Sequence, residues 1–302
     1  MLKNSLAKML PLRVAVIGGA LEYVNRIASC DGDTTTSATP ATPASSISST
    51  TTFSLPLTSS KDDTKYKKSL QPYYPHETKL RKQWEKDEEG FRNLPARAWP
   101  PHQPNIEDIP NLEKQLMEEC PLVKKQSTKK CQDLKFLLAT AYVFNNFSET
   151  ADGDENRINH KRGYDMYVEE SETHPDSMCA AGILNVEGLG RDVCEEVGLK
   201  FLNRAYSEHK HAQSMYELGT AHYTGLEGYL EEDEDLAFQF FLEASELDHY
   251  GAMYMVADCL MEGIGAAIDI ERAIPLLFVA ADSGHRFARQ KCRELFTKYP
   301  VQ

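Results

Sequence analysis

The stretch AMYMVADCLMEGIGAAIDIERAIPLLFVAADSG, running from Ala252 to Gly284, decides the architecture. Ala252, Val256 and Leu260 recur at i, i+4 and i+8 and form one stripe of a helix. Gly263 and Gly265 end that helix, because glycine enters positive φ at little cost. Asp269 is placed to cap a second helix by accepting a backbone N–H bond. Ala273, Leu277, Ala280 and Ala281 give that helix its inward face, and Gly284 closes it. Ala288 opens a further unit.

Two earlier segments repeat the spacing. One carries Ala212, Leu218, Gly219, Gly225, Ala237, Ala244 and Ser245; the other carries Ser177, Ala181, Gly182, Gly188, Gly190, Gly198, Ala205 and Tyr206. Gly188, Gly225 and Gly263 are equivalent, and so are Ala205, Ala244 and Ala280. A period in this range marks stacked helix pairs. Small residues let helix backbones approach, and larger apolar ones fill the space between layers.

LGTAHYTG (Leu218 to Gly225) and DIERAIPLLFVAADSG (Asp269 to Gly284) resemble the Sel1-like repeat family over about residues 177–290. The resemblance implies an all-α fold, a right-handed α/α superhelical solenoid whose helix pairs are related to those of TPR proteins. A degenerate fourth copy precedes the clear ones. Leu138, Ala139, Tyr142 and Asn145 fit its first helix, Gly163, Glu170 and Ser171 its second, with Phe147–Asn159 as an enlarged loop. Three departures stand out. Two extra residues lie between Gly225 and Ala237. Gly163 and Gly198 replace the second-helix alanine, at a cost of roughly 1 kcal/mol. Pro275 should kink the last second helix or move its start toward Arg272.

Charge divides the chain. Residues 1–130 hold 19 Lys/Arg and 15 Asp/Glu, whereas residues 131–302 hold 14 and 31. The repeat half, 131–302, is therefore strongly acidic. That argues against nucleic acid, whose phosphates require a basic footprint. It is compatible with a basic protein or peptide, and also with a solvated face that aids solubility. No run of 18 apolar residues occurs, so no transmembrane helix is expected.

The N-terminal part has three sections. Residues 1–30 begin with a basic, amphipathic, acid-poor stretch through Arg26. This is the profile of a mitochondrial or plastid presequence. The competing reading is an N-terminus without an address, so the expected location is cytoplasmic or mitochondrial. Residues 31–70 are read as a disordered linker, since 31–60 hold 17 Ser/Thr and Lys61–Ser69 is a mixed-charge run. Residues 71–130 form a helical and proline-rich lead-in. His76–Asn93 should be an exposed helix anchored on one side by Leu80, Trp84 and Phe91. The prolines of Leu94–Pro104 favour an extended path that covers the first repeat or docks elsewhere. A short helix is expected at Pro110–Cys120, and Lys129–Val143 should be the first helix of the degenerate repeat.

Candidate chemistry is sparse. His209, His211 and His222 lack further ligands at zinc spacing and read as solvated turn residues. Glu231–Asp235 opens a second helix, where negative charge opposes the helix dipole. Asp152, Asp154, Glu155 and Asn156 surround Gly153 but lack the bidentate Glu of a calcium loop. Gly188 and Gly190 form part of a dinucleotide fingerprint with no strand before it. Seven cysteines without C-x-x-C read as free thiols, with a single bridge such as Cys179–Cys194 left open.

No catalytic residue, cofactor site or metal site is assigned. The resemblance implies a non-enzymatic adaptor that grips a protein through the concave face of its first helices. Outward positions there are Asn185, Glu217, Thr220, Met255, Asp258 and Glu262, while Tyr216, Tyr223 and Tyr254 pack between layers. Alternatives are an organelle assembly factor, or a hydrolase or cofactor carrier of the cysteine-containing type.

Overall fold

A computed structural model describes residues 60–91, 104–120, 128–144, 154–189, 192–226 and 228–300. Residues 63–302 form one compact unit. The basic N-terminal stretch and the Ser/Thr-rich stretch before Ser60 lie outside the described residues, as do Leu94–Gln103.

Twelve helices are described. They are α1 (Ser60–Leu70), α2 (Glu77–Phe91), α3 (Ile109–Glu119), α4 (Lys129–Phe144), α5 (Asp154–Glu170), α6 (Pro175–Glu187), α7 (Glu195–His209), α8 (Ala212–Thr224), α9 (Glu234–Glu246), α10 (Tyr250–Glu262), α11 (Ile270–Asp282) and α12 (Arg286–Lys298). Among the described residues the only extended pairing is an isolated bridge, Leu226 to Leu230. From α4 onward the helices pack as consecutive pairs, α4/α5, α6/α7, α8/α9 and α10/α11, with α12 beginning a fifth unit. The mixed-charge run from Lys61, expected to extend a linker, is instead part of α1. α5 begins at Asp154, so the enlarged loop is shorter than its expected end at Asn159.

The turns inside the clear pairs share two features, a positive-φ glycine and a bond back to the first helix. Gly188, Gly225 and Gly263 follow the first helix with φ of +70, +66 and +76°. The next helix then ties back. The N–H of its N-cap residue donates to a carbonyl in the last turns of the first helix. Cys194 bonds Asn185 O at 2.9 Å, Asp233 bonds His222 O at 2.8 Å, and Asp269 bonds Leu260 O at 2.9 Å. The Asp233 and Asp269 carboxylates also accept from Leu236 N and Arg272 N, closing the cap. The two extra residues of the middle repeat fold into a small loop between Leu226 and Leu230. α11 keeps its start at Ile270 and carries the exposed Pro275 within it.

Small residues sit where helices cross. Ala205, Ala244 and Ala280 are fully buried. Gly198, which by propensity alone is a cost, is required by packing. A Cβ there would stand 2.8 Å from Gly182 O and 2.6 Å from Val186 Cγ2. Between layers the core is continuous, as in the cluster of Cys179, Ile183, Leu202, Met215, Leu218, Phe240, Ala244 and Ala252.

Both ends of the stack are covered by the lead-in, which at the last end begins earlier than its expected start at residue 71. At the first end α3 lays Ile109, Leu112 and Leu116 against Leu138, Ala141 and Tyr142 of α4. Glu113 accepts from the Tyr142 hydroxyl and from Arg162. A Cys120–Cys131 disulfide joins the two helices, while Cys179 and Cys194, the pair left open by spacing, are free. At the last end residues 63–91 fold onto α11 and α12. Tyr73 stacks on Phe278 with ring centroids 3.8 Å apart, and Tyr66 stacks on Tyr299. The Trp84 side chain is 1% exposed, and its Nε1 donates to Asp282 at 3.1 Å. The buried Arg289 bridges Ala281 O and Asp87.

Trp84→Ala should cost about 3–5 kcal/mol in urea unfolding, as removal of a large buried aromatic does. Limited proteolysis should then cut within residues 63–91 before the repeats. Gly263→Val should destabilise by roughly 1–3 kcal/mol, because a β-branched residue is forced to positive φ. Its Cβ would also lie 3.0 Å from Ile268 Cγ1. A thermal melt matching the parent's would refute that role for the turn.

Candidate functional site

Each first helix from α6 onward starts on a histidine. His174, His211, His249 and His285 are the N-caps of α6, α8, α10 and α12, at intervals of 37, 38 and 36 residues. In each, Nδ1 accepts the backbone N–H three residues on: Ser177 at 3.2 Å, Ser214 at 3.3 Å, Ala252 at 3.0 Å and Ala288 at 3.3 Å. An acceptor Nδ1 requires the neutral tautomer with its proton on Nε2. That proton points back to the preceding layer. It meets Asp133 at 3.3 Å from His174, Asp176 at 3.1 Å from His211, and Gln213 Oε1 at 2.8 Å from His249. Asp176 and Gln213 are the second residues of α6 and α8. The equivalent residue of α10 is Gly251, and among the described residues His285 Nε2 has no hydrogen-bond partner. Of the three histidines singled out from sequence, only His209 is exposed. His211 is a half-buried joint, and the half-buried His222 stacks on Phe240. The signal for the joints was the repeat period itself, read on His instead of Ala and Gly.

The six positions assigned to the first-helix face do not behave alike. Asn185 is a correction: it is fully buried, and its Nδ2 donates to Ala181 O at 2.6 Å and to the Tyr164 hydroxyl at 3.2 Å. The neighbouring α5 covers that turn of α6, so the side chain faces Tyr164 and not a partner. Glu217, Thr220, Met255, Asp258 and Glu262 are half-buried. Glu217 accepts from Gln213 Nε2 at 2.9 Å, which orients the amide toward His249. Thr220 donates to Tyr216 O. Asp258 and Glu262 converge on Lys291 of α12, at 3.1 and 3.9 Å. Burial raises the Glu262 carboxyl above the usual range, Lys291 opposes the shift, and Asp258 adds to it. Tyr223 and Tyr254 are buried and Tyr216 packs on Phe241 and His249, which places all three between layers.

The buried thiols Cys179, Cys259 and Cys292 are packing groups. Burial pushes Cys259 up to about 12 and raises Cys179 and Cys292 as well, so all three stay protonated near neutral pH. Among the described residues no group of three or more His, Cys, Asp or Glu side chains is placed to hold a metal ion.

Residues 212–249 and 251–285 each match the Sel1 repeat model. Residues 212–285 are a pair of Sel1 repeats. The two matched units are α8/α9 and α10/α11, and α6/α7 shares their turn glycine, their buried alanine and their histidine cap. The Sel1-repeat solenoid is an architecture typical of protein-interaction scaffolds, and such repeats are generally non-enzymatic interaction modules. Among solved structures, a Sel1 repeat protein from Oxalobacter formigenes is 20% identical, with a TM-score of 0.45, over 63% of this chain and 49% of that one. A protective antigen of uropathogenic Escherichia coli with an SLR fold, c5321, is 16% identical, with a TM-score of 0.43, over 73% of this chain and 40% of that one. The chain thus aligns with less than half the length of either neighbour. None of the curated proteins matches it. Among the described residues no helix is long and apolar enough to cross a membrane.

Lys291→Ala would leave Asp258 and Glu262 facing each other with little water. We expect a loss of about 1–3 kcal/mol at neutral pH. Because the folded Glu262 carboxyl already lies above its ordinary value, the gap to the parent should narrow as pH falls and Glu262 takes up a proton. Urea denaturation of both proteins across that range measures it.

Proposed function

We propose that the chain is a non-enzymatic adaptor whose first-helix face holds a basic protein segment. The observation that carries this reading is the half-buried acidic pair Asp258 and Glu262 on α10. Both sit on the helix class that a repeat solenoid turns toward its partner, within a half of the chain holding 31 Asp/Glu against 14 Lys/Arg. Carboxylates with reduced hydration are the better acceptors for an incoming guanidinium, because less water must be displaced. Lys291 holds them in place in the free protein and would share them with the bound cation.

Fluorescence anisotropy with the full chain tests this, using Arg/Lys-rich peptides and charge-inverted controls. Binding of the basic set should weaken steeply with salt and fall at least about tenfold in Asp258→Asn, a loss of the size expected for one charge-assisted contact. Equal binding of acidic peptides, or binding unchanged in Asp258→Asn and Glu217→Gln, would overturn it.

The Cys120–Cys131 bond supports a view on location. Disulfides are rare where glutathione and thioredoxin keep thiols reduced, so of the cytoplasmic and mitochondrial readings it favours the one outside the cytosol. A fluorescent fusion of residues 1–60 should leave the cytosol; a diffuse cytosolic signal would remove this reading.

A further inference from the structure

The four histidine joints fall into two classes. His174 and His211 have a serine at the capped position, with Ser177 Oγ 2.9 Å and Ser214 Oγ 3.0 Å from Nδ1, and a carboxylate on Nε2. If either ring takes a second proton, Nδ1–H finds a hydroxyl acceptor and the positive charge finds an aspartate. His249 and His285 have neither. Their capped residues are Ala252 and Ala288, whose side chains accept nothing. Facing His249 are Gln213 and the stacked Tyr216 of α8, and His211 acts on it electrostatically. Facing His285 are Tyr254 of α10 and, electrostatically, His249, with Phe287 on its own helix. Among the described residues no carboxylate bonds either ring.

A second proton on these rings can only go to Nδ1, the atom whose lone pair holds the cap. Protonation therefore removes the bond and places a positive charge at the positive end of a helix dipole. We propose that the last two first-helices form an acid-sensitive joint: proton uptake by His249 and His285 uncaps α10 and α12 and loosens the end of the stack that anchors residues 63–91, while the His174 and His211 joints hold. The anchoring contacts depend on α12 directly. Tyr74 donates to Tyr299 O just beyond α12, Arg81 donates to Arg293 O, and Arg289 pairs with Asp87. Release of α12 thus releases the lead-in.

The electrostatics agree with the geometry. Burial is the first cause and a neighbouring imidazole the second in lowering both His249 and His285 to about 4. An exposed imidazole titrates near 6.5. The native cap is therefore intact above that value, and its stability is lost as pH falls from 6.5 toward 4. For a local opening that exposes the ring, the opening constant should rise about tenfold per joint at about pH 5.5.

Hydrogen exchange on the full chain, at neutral pH and at about pH 5.5, reads this once intrinsic rates are divided out. Amides of α10 and α12 should lose about tenfold or more in protection, and those of α6 and α8 much less. In His249→Asn/His285→Asn the caps remain but do not titrate, so the acid-induced loss should disappear. Uniform loss along the stack, or the same loss in the double variant, would overturn the proposal. Should that variant fail to fold, an NMR titration of the histidine ring protons in the unaltered protein decides. His249 and His285 should stay neutral to below about pH 5, and titration of either near 6.5 would refute the joint.

Discussion

A helix pair of this kind has apolar surface on both of its broad sides, so each layer needs a neighbour and a stack needs two covers. That constraint organises the molecule. Inside the stack it is met by the next repeat, across clusters that run from Cys179 to Ala252 without a break. At the ends no repeat remains, and the lead-in supplies what is missing. α3 seals α4 with Ile109, Leu112 and Leu116, and residues 63–91 seal α11 and α12 with Tyr66, Tyr73 and Trp84. The aromatic content of an otherwise highly charged segment follows from this task. Large flat side chains from α1, from α2 and from the turn between them cover Phe278, Phe296 and Tyr299.

The same economy holds at the joints. Four backbone N–H groups stand open at each helix start, and one side chain per repeat must answer them while also fixing the spacing to the layer before. A neutral imidazole does both, accepting at Nδ1 and donating at Nε2. Asparagine or aspartate caps equally well but lacks the second nitrogen in line with the previous helix. In α8/α9 and α10/α11 the second helices are capped by the exposed Asp233 and Asp269, which need no such reach, whereas Cys194 at the start of α7 makes no side-chain cap. The choice of cap thus records whether a helix start lies at an inter-layer contact or at an open edge.

Much of this was legible in the chain itself. The positive-φ role of Gly188, Gly225 and Gly263 followed from period and residue type, because few residues other than glycine enter that region cheaply. The inward alanines followed likewise. The site was less legible. Asn185 looked outward by register, yet α5 covers its turn of α6, and no local signal announces a neighbour contributed by another layer. Gly198 looked like a loss of helix propensity until its partner Gly182 was seen across the crossing. Trp84 reads as an anchor in the sequence, but the surface it anchors to lies about 200 residues away in the chain.

The sequence by itself determined the helix pairs, their turns and their acidic character, since period, glycine chemistry and charge are local properties. Only the tertiary structure decided which end each half of the lead-in covers, which carboxylates share Lys291, and which histidines have a hydroxyl and a carboxylate to receive a second proton. Those outcomes depend on distances between side chains that are far apart along the chain. They are set when the layers close on one another, and no window of sequence contains them.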